Sequence, residues 1–83
     1  MTKDQIEKYI QKDFLDKSNV KISFKTRKPV IGIFISTADY GELKSKNLWR
    51  IVPESSVVNY RKSKDYNFAR IFNGTEMTKL SQP

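Results

Sequence analysis

The sequence predicts a mainly β domain led by an N-terminal α-helix, with about five bent antiparallel strands curled into a small barrel. Three features point there. An apolar period of helical type runs over residues 3–16, a period of two takes over at Val20, and short strand-like runs then follow, broken by Gly, Pro and Asn. A chain of 83 residues supports one core, so residues 1–83 form one domain, with the helix in 1–17 and the barrel in 18–83.

Thr2 is placed to cap the helix, and Gln5 stands where a capping box takes Glu or Gln. Ile6, Tyr9, Ile10 and Phe14 fall on one helical face, opposite Lys, Asp, Glu and Gln. Ser18-Asn19 ends the element. Val20, Ile22 and Phe24 then alternate with Lys21, Ser23 and Lys25, as in a half-buried strand. After a polar turn up to Pro29, the run VIGIFI at 30–35 is apolar on both faces. That predicts a central strand, or one whose second face is covered by something such as the N-terminal helix. Gly32 inside it predicts a sharp bend or a bulge.

Residues 38–46 are polar, contain Gly41, and read as a loop in which Leu43 is the earliest start of the next strand. The strand NLWRIV spans 47–52 and stops near Pro53. Residues 54–66 leave two conformations open. Val57 and Val58 favour a strand, whereas Ser55 or Ser56 is placed to cap a helical turn bearing Val57, Tyr60 and Arg61. Finally, runs at 68–72 and 76–80 flank Asn73-Gly74, a strong hairpin signal because a type I′ turn needs φ > 0 twice. One helix followed by short bent strands is the layout of a small SH3-like barrel.

The composition narrows the function. There are no cysteines and no histidines, which removes disulfides, thiolate metal sites, cysteine nucleophiles and the usual general base near neutral pH. No nucleophile–base pair, Gly-rich phosphate loop or metal-spaced cluster is visible, so a non-catalytic binding module without a cofactor is expected. No apolar run approaches the roughly 20 residues of a membrane span, and residues 1–12 carry charges of both signs, so a cytoplasmic protein away from membranes is expected.

The net charge is +7, from 16 basic and 9 acidic residues. In residues 1–17 four lysines balance four carboxylates, so all of the excess lies in the β-rich part. Such a field draws a domain towards nucleic acid, anionic membrane or acidic protein, and it also keeps a small protein soluble. Two clusters stand out. Lys25, Arg27 and Lys28 sit at the first strand turn, and Arg61, Lys62 and Lys64 lie between Tyr60 and Tyr66. Lys and Arg neutralise phosphates and aromatic rings stack on unpaired bases, although charged turns are also ordinary solvated surface. Trp49, the single tryptophan, is expected in the core with a partner for its N–H.

The glycine within VIGIFIS, the segment Ala38-Asp39-Tyr40, the Asn47-Leu48 that opens the next strand, and Phe72-Asn73-Gly74 followed by Met77 together resemble the Sm-like family, which includes the bacterial Hfq proteins. The resemblance covers most of the chain through short motifs. It departs from the family where GELKSK separates Asp39 from Asn47, where Asn73 replaces a basic residue, and where the histidine-bearing segment of Hfq is missing. It implies a small barrel, a ring oligomer paired through edge strands, and single-stranded RNA as ligand. Phosphates would be held by Lys25, Arg27, Lys28, Arg61, Lys62 and Lys64, and bases by Tyr40, Asn47 or Tyr60. The alternative is an SH3-like protein-interaction module or a self-assembling structural protein without a nucleic-acid ligand.

Overall fold

The computed structural model describes residues 1–11 and 13–83. Helix α1 (Lys3–Ile10) leads strands β1 (Val20–Phe24) and β2 (Val30–Phe34). Helix α2 (Tyr40–Ser45) and strand β3 (Leu48–Pro53) follow, then helix α3 (Val57–Ser63) and strands β4 (Arg70–Asn73) and β5 (Met77–Ser81). Short 3-10 turns occupy Glu54–Ser56, Tyr66–Phe68 and Gly74–Glu76. The strands form one antiparallel sheet in the order β4-β3-β2-β1-β5.

The capping box forms as the sequence predicts. Gln5 N donates to Thr2 Oγ1 and Thr2 N donates to Gln5 Oε1. The helix is shorter than residues 3–16, and the part of that expectation at Lys12 lies outside the described residues. Its end is pulled away by the sheet. Asp16, at φ 61°, donates its backbone N–H to Phe34 O, and its carboxylate accepts from the backbone and hydroxyl of Ser36. The apolar face is docked, with Ile6 and Ile10 fully buried.

β2 is central, and its two faces belong to different clusters. Phe34 joins Ile6, Ile10, Val20, Ile22, Trp49, Ile51, Phe72, Met77 and Leu80. Ile33 and Ile35 join Val52 and Val57 under Tyr60, Phe68 and Ala69. The second face of β2 is thus covered by α3 and the turn after it, while α1 packs on the first. Gly32 is required by close approach, because a Cβ there would stand 2.4 Å from Val52 O. The bulge lies elsewhere, in the β1–β5 ladder near Phe24, and it lets both Met77 and Leu80 point inward.

Three further expectations are corrected, and one left open is decided. Residues 40–45 are helical, not loop or early strand, because Asp39 pairs with Arg50 and anchors the start of α2 on β3. In 54–66 the helical alternative is the one adopted, since it buries Val57, although Ser56 makes no side-chain cap bond. Asn73-Gly74 is not a hairpin. No glycine has positive φ, Asn73 Oδ1 accepts from Thr75 N, and β4 and β5 lie at opposite edges of the sheet. Last, among the described residues no ladder joins β4 to β5, so the sheet is not closed into a barrel.

The sheet is nevertheless strongly curled. Five flat strands would hold their outer members about 19 Å apart, while the short link from Asn73 to Met77 reaches only about 14 Å. The curl brings the end of β1 towards β4, and the rings of Phe24 and Phe72 meet there at 5.6 Å. This seam positions the candidate site.

The ion pair at Asp39 makes a pH prediction. Arg50 donates to both carboxylate oxygens, at 3.3 and 2.8 Å, and the Thr37 hydroxyl also donates. The hydrogen bonds from Arg50 and then Thr37 hold the Asp39 carboxyl at about 2. A free Asp titrates near ~3.9, so the pair's contribution is complete above about pH 4 and is lost as pH falls through 2. Urea midpoints of wild type and Asp39→Asn should differ most above pH 4 and converge towards pH 2. A gap independent of pH would refute this role.

Candidate nucleic-acid interface

The nine candidate residues do not converge on one place. Arg27 lies at the seam, where its guanidinium carbon stands 5.2 Å from the Phe24 ring centre and 5.3 Å from that of Phe72. Two phenyl faces fix the orientation of one cationic plane, an arrangement favourable by about 0.5–1 kcal/mol per contact at a surface. Lys25 and Lys28 are exposed on the same turn, and Lys25 N donates to Glu76 O at 3.0 Å, tying the turn to the start of β5.

Two adjoining cavities share Arg27 and Phe72. The first, about 220 Å³, is also lined by Phe24, Ile71, Asn73 and Glu76. The second, about 380 Å³, runs past Arg70, Asn67, Phe68, Ser55 and Ser56. Together they form a groove with aromatic side chains in its floor and arginines from two distant chain segments. Arg70, Phe24, Phe72 and Glu76 line this groove, and sequence reasoning did not single them out for it. Phe24 and Phe72 look like core positions by alternation, and Arg70 is one isolated charge in a strand. The curl of the sheet places Arg70 and Phe72 beside Arg27, and the pairing of β1 with β5 places Glu76 there.

The second basic cluster is separate. Tyr60, Arg61 and Lys64 line another cavity of about 380 Å³ with Asp16, Ile33 and Ser36. Arg61 Nη2 donates to the Lys17 carbonyl at 2.8 Å, Lys64 lies over the Tyr60 ring at 6.0 Å, and burial raises the Tyr60 hydroxyl above its usual pKa. This arrangement ties α3 to the segment after α1. Lys62 is exposed on α3.

Tyr40 and Asn47 are taken up by packing. Tyr40 meets Trp49 edge-on at 6.1 Å, and burial raises its hydroxyl pKa. Asn47, at φ 58°, uses both ends of its amide: Nδ2 donates to Met1 O at 2.9 Å and Oδ1 accepts from Trp49 Nε1 at 2.8 Å. Its carbonyl accepts from Gly74 N at 2.8 Å, and a Cβ on Gly74 would stand 2.1 Å from its Oδ1. Asn47 is the joint between the N-terminal segment, β3 and β4, and this removes it as a free base contact.

Among the described residues no three His, Cys, Asp or Glu side chains lie close enough to hold a metal ion, and no helix is long and apolar enough to cross a membrane. No family model matches the chain, and neither does any curated protein or solved structure, so the seam groove stands on its own geometry.

Proposed function

We propose that the protein is a non-catalytic, cytoplasmic module that binds single-stranded RNA along the seam groove. The observation that supports this best is the meeting of Arg27 and Arg70 on one groove that includes Phe68 and Phe72. Cations beside aromatic rings suit a strand with charged phosphates and unpaired bases. Lys25 and Lys28 extend the positive field from the same turn. A helix leading a curled five-stranded antiparallel sheet also supports the Sm-like reading, as an open sheet and not a closed barrel.

The test is fluorescence anisotropy with a labelled mixed-sequence RNA 12-mer across salt concentrations. Binding should weaken as salt rises, with a log–log slope of about −0.7 per phosphate held. Arg70→Ala with Lys28→Ala should weaken all sequences alike and flatten that slope by about one to two units. Arg61→Ala with Lys62→Ala, away from the groove, should cost less. Absence of salt-sensitive binding to any RNA at low salt would dispose of this reading.

One observation favours a second reading, pairing of β4 with a protein partner or another copy. The bond from Gly74 N to Asn47 O sets the ladder phase, so the backbone groups of Ile71 point away from β3. The Ile71 side chain is 48% exposed on this open edge. Light scattering that shows oligomers of wild type but monomers of Ile71→Lys would support self-pairing.

A further inference from the structure

We propose that the smaller seam cavity takes one unpaired guanine base, stacked on Arg27 and paired through its N1–H and N2 amino group to the Glu76 carboxylate. This rests on the RNA-binding reading and gives it a base specificity.

Glu76 motivates the assignment. It lines the cavity beside Arg27, Phe24 and Phe72, next to the stretch of the groove where Arg27 meets Arg70. Among the described residues its carboxylate has no ion pair and no hydrogen bond. A free carboxylate there repels phosphates, so it helps a nucleic-acid site only by accepting hydrogen bonds from a base. An ionised carboxylate accepts and cannot donate. Guanine alone presents two adjacent donors on its Watson–Crick edge, matching the two carboxylate oxygens. Adenine and cytosine set one amino group beside a ring acceptor, and uracil flanks one N–H with two carbonyls; each turns a lone pair towards the second oxygen.

The rest of the cavity fits the same base. The guanidinium of Arg27 is already held over two rings, so a base stacking on its open side orders little that was mobile. Glu76 is placed by the 3-10 turn Gly74–Glu76 and by the bond from Lys25 N to its carbonyl. Asn73 spends its Oδ1 on Thr75 N and Thr75 Oγ1, which leaves its amide N–H groups as donors at the same cavity, suited to the O6 of guanine.

The experiment compares three labelled RNA 8-mers at one moderate salt concentration. They share a sequence of A, C and U, with the central position occupied by guanine, inosine or adenine. Wild type should bind the guanine strand about 10- to 100-fold more tightly than the adenine strand, as a bidentate base contact does. Inosine, which lacks the N2 amino group, should lose most of that advantage. Glu76→Gln should abolish the preference while still binding the adenine strand. Equal affinity of wild type for all three strands overturns the guanine assignment and leaves RNA binding intact. So does a Glu76→Gln variant that tightens all three alike, since the carboxylate then only repels phosphates. If none of the strands binds at low salt, the RNA reading itself falls and the assignment with it.

Discussion

Trp49→Ala is expected to leave the domain largely unfolded at 37 °C. Trp49 is 2% exposed and meets Phe34 edge-on at 6.0 Å and Tyr40 at 6.1 Å. Truncating a buried Trp costs about 3–5 kcal/mol through lost transfer energy and the cavity left behind. The indole N–H also leaves Asn47 Oδ1 without its partner, which adds about 1–3 kcal/mol if no water replaces it. A domain of this size has a total stability of roughly 4–12 kcal/mol, so most of it is lost. Urea unfolding followed by far-ultraviolet circular dichroism measures the loss. Trp49→Phe, which keeps a smaller aromatic ring and drops the N–H, should fall between wild type and Trp49→Ala. A Trp49→Ala midpoint close to wild type would show that Trp49 and Asn47 do not form the joint described above.

The second large effect is Gly32→Ala. The added Cβ would meet Val52 O at 2.4 Å and Ile51 Cγ2 at 2.9 Å. Val52 O is backbone in the neighbouring strand, where Gly32 pairs with Pro53, so relief requires β2 and β3 to separate. Overpacking typically costs about 1–3 kcal/mol, and a backbone clash in the central strand belongs at the upper end. For a domain of this size the melting temperature should fall by roughly 10 °C or more. Gly41→Ala is the internal control. Gly41 lies in α2 with nothing within 4 Å of a new Cβ, so alanine there should stabilise by about 0.5–1 kcal/mol. Calorimetry on both variants separates close approach at Gly32 from a general effect of removing glycine. Equal shifts of the same sign would refute the distinction.

The two glycines that matter show how far local sequence signals reach. Gly32 stands out in an apolar run, and the sequence marks it as special, but as a bend or bulge. The structure uses it for contact between strands. Gly74 follows Asn73 as in a tight hairpin, but a glycine satisfies two different needs, positive φ and the absence of a side chain. Here Gly74 serves the second, against Asn47 and Ile6, and the hairpin never forms.

The candidate site divides in the same way. Lys25, Arg27 and Lys28 were visible because charged residues cluster in a short turn. Glu76 and Arg70 were not, because Glu76 neighbours Arg27 through the long-range pairing of β5 with β1 and Arg70 through the curl of the sheet. Asn47 reads as the residue that opens a strand and as a candidate base contact, whereas its amide bonds reach Met1 and Trp49 and its carbonyl reaches Gly74 N.

By itself the sequence determined the capped N-terminal helix, the alternating β1 strand, the apolar central strand, the placement of all excess charge beyond residue 17, and the lack of cysteine and histidine chemistry. These follow from periodicity and composition, which act over a few residues. Only the tertiary structure decided that β4 and β5 part to opposite edges, that the sheet curls without closing, and that Arg27, Arg70 and Glu76 share a groove. The reason is that strand order is set by which apolar faces bury together. Phe72 packs with Phe24, Val57 with Val52, and Ile6 with the Gly74 turn, and no spacing along the chain encodes those contacts.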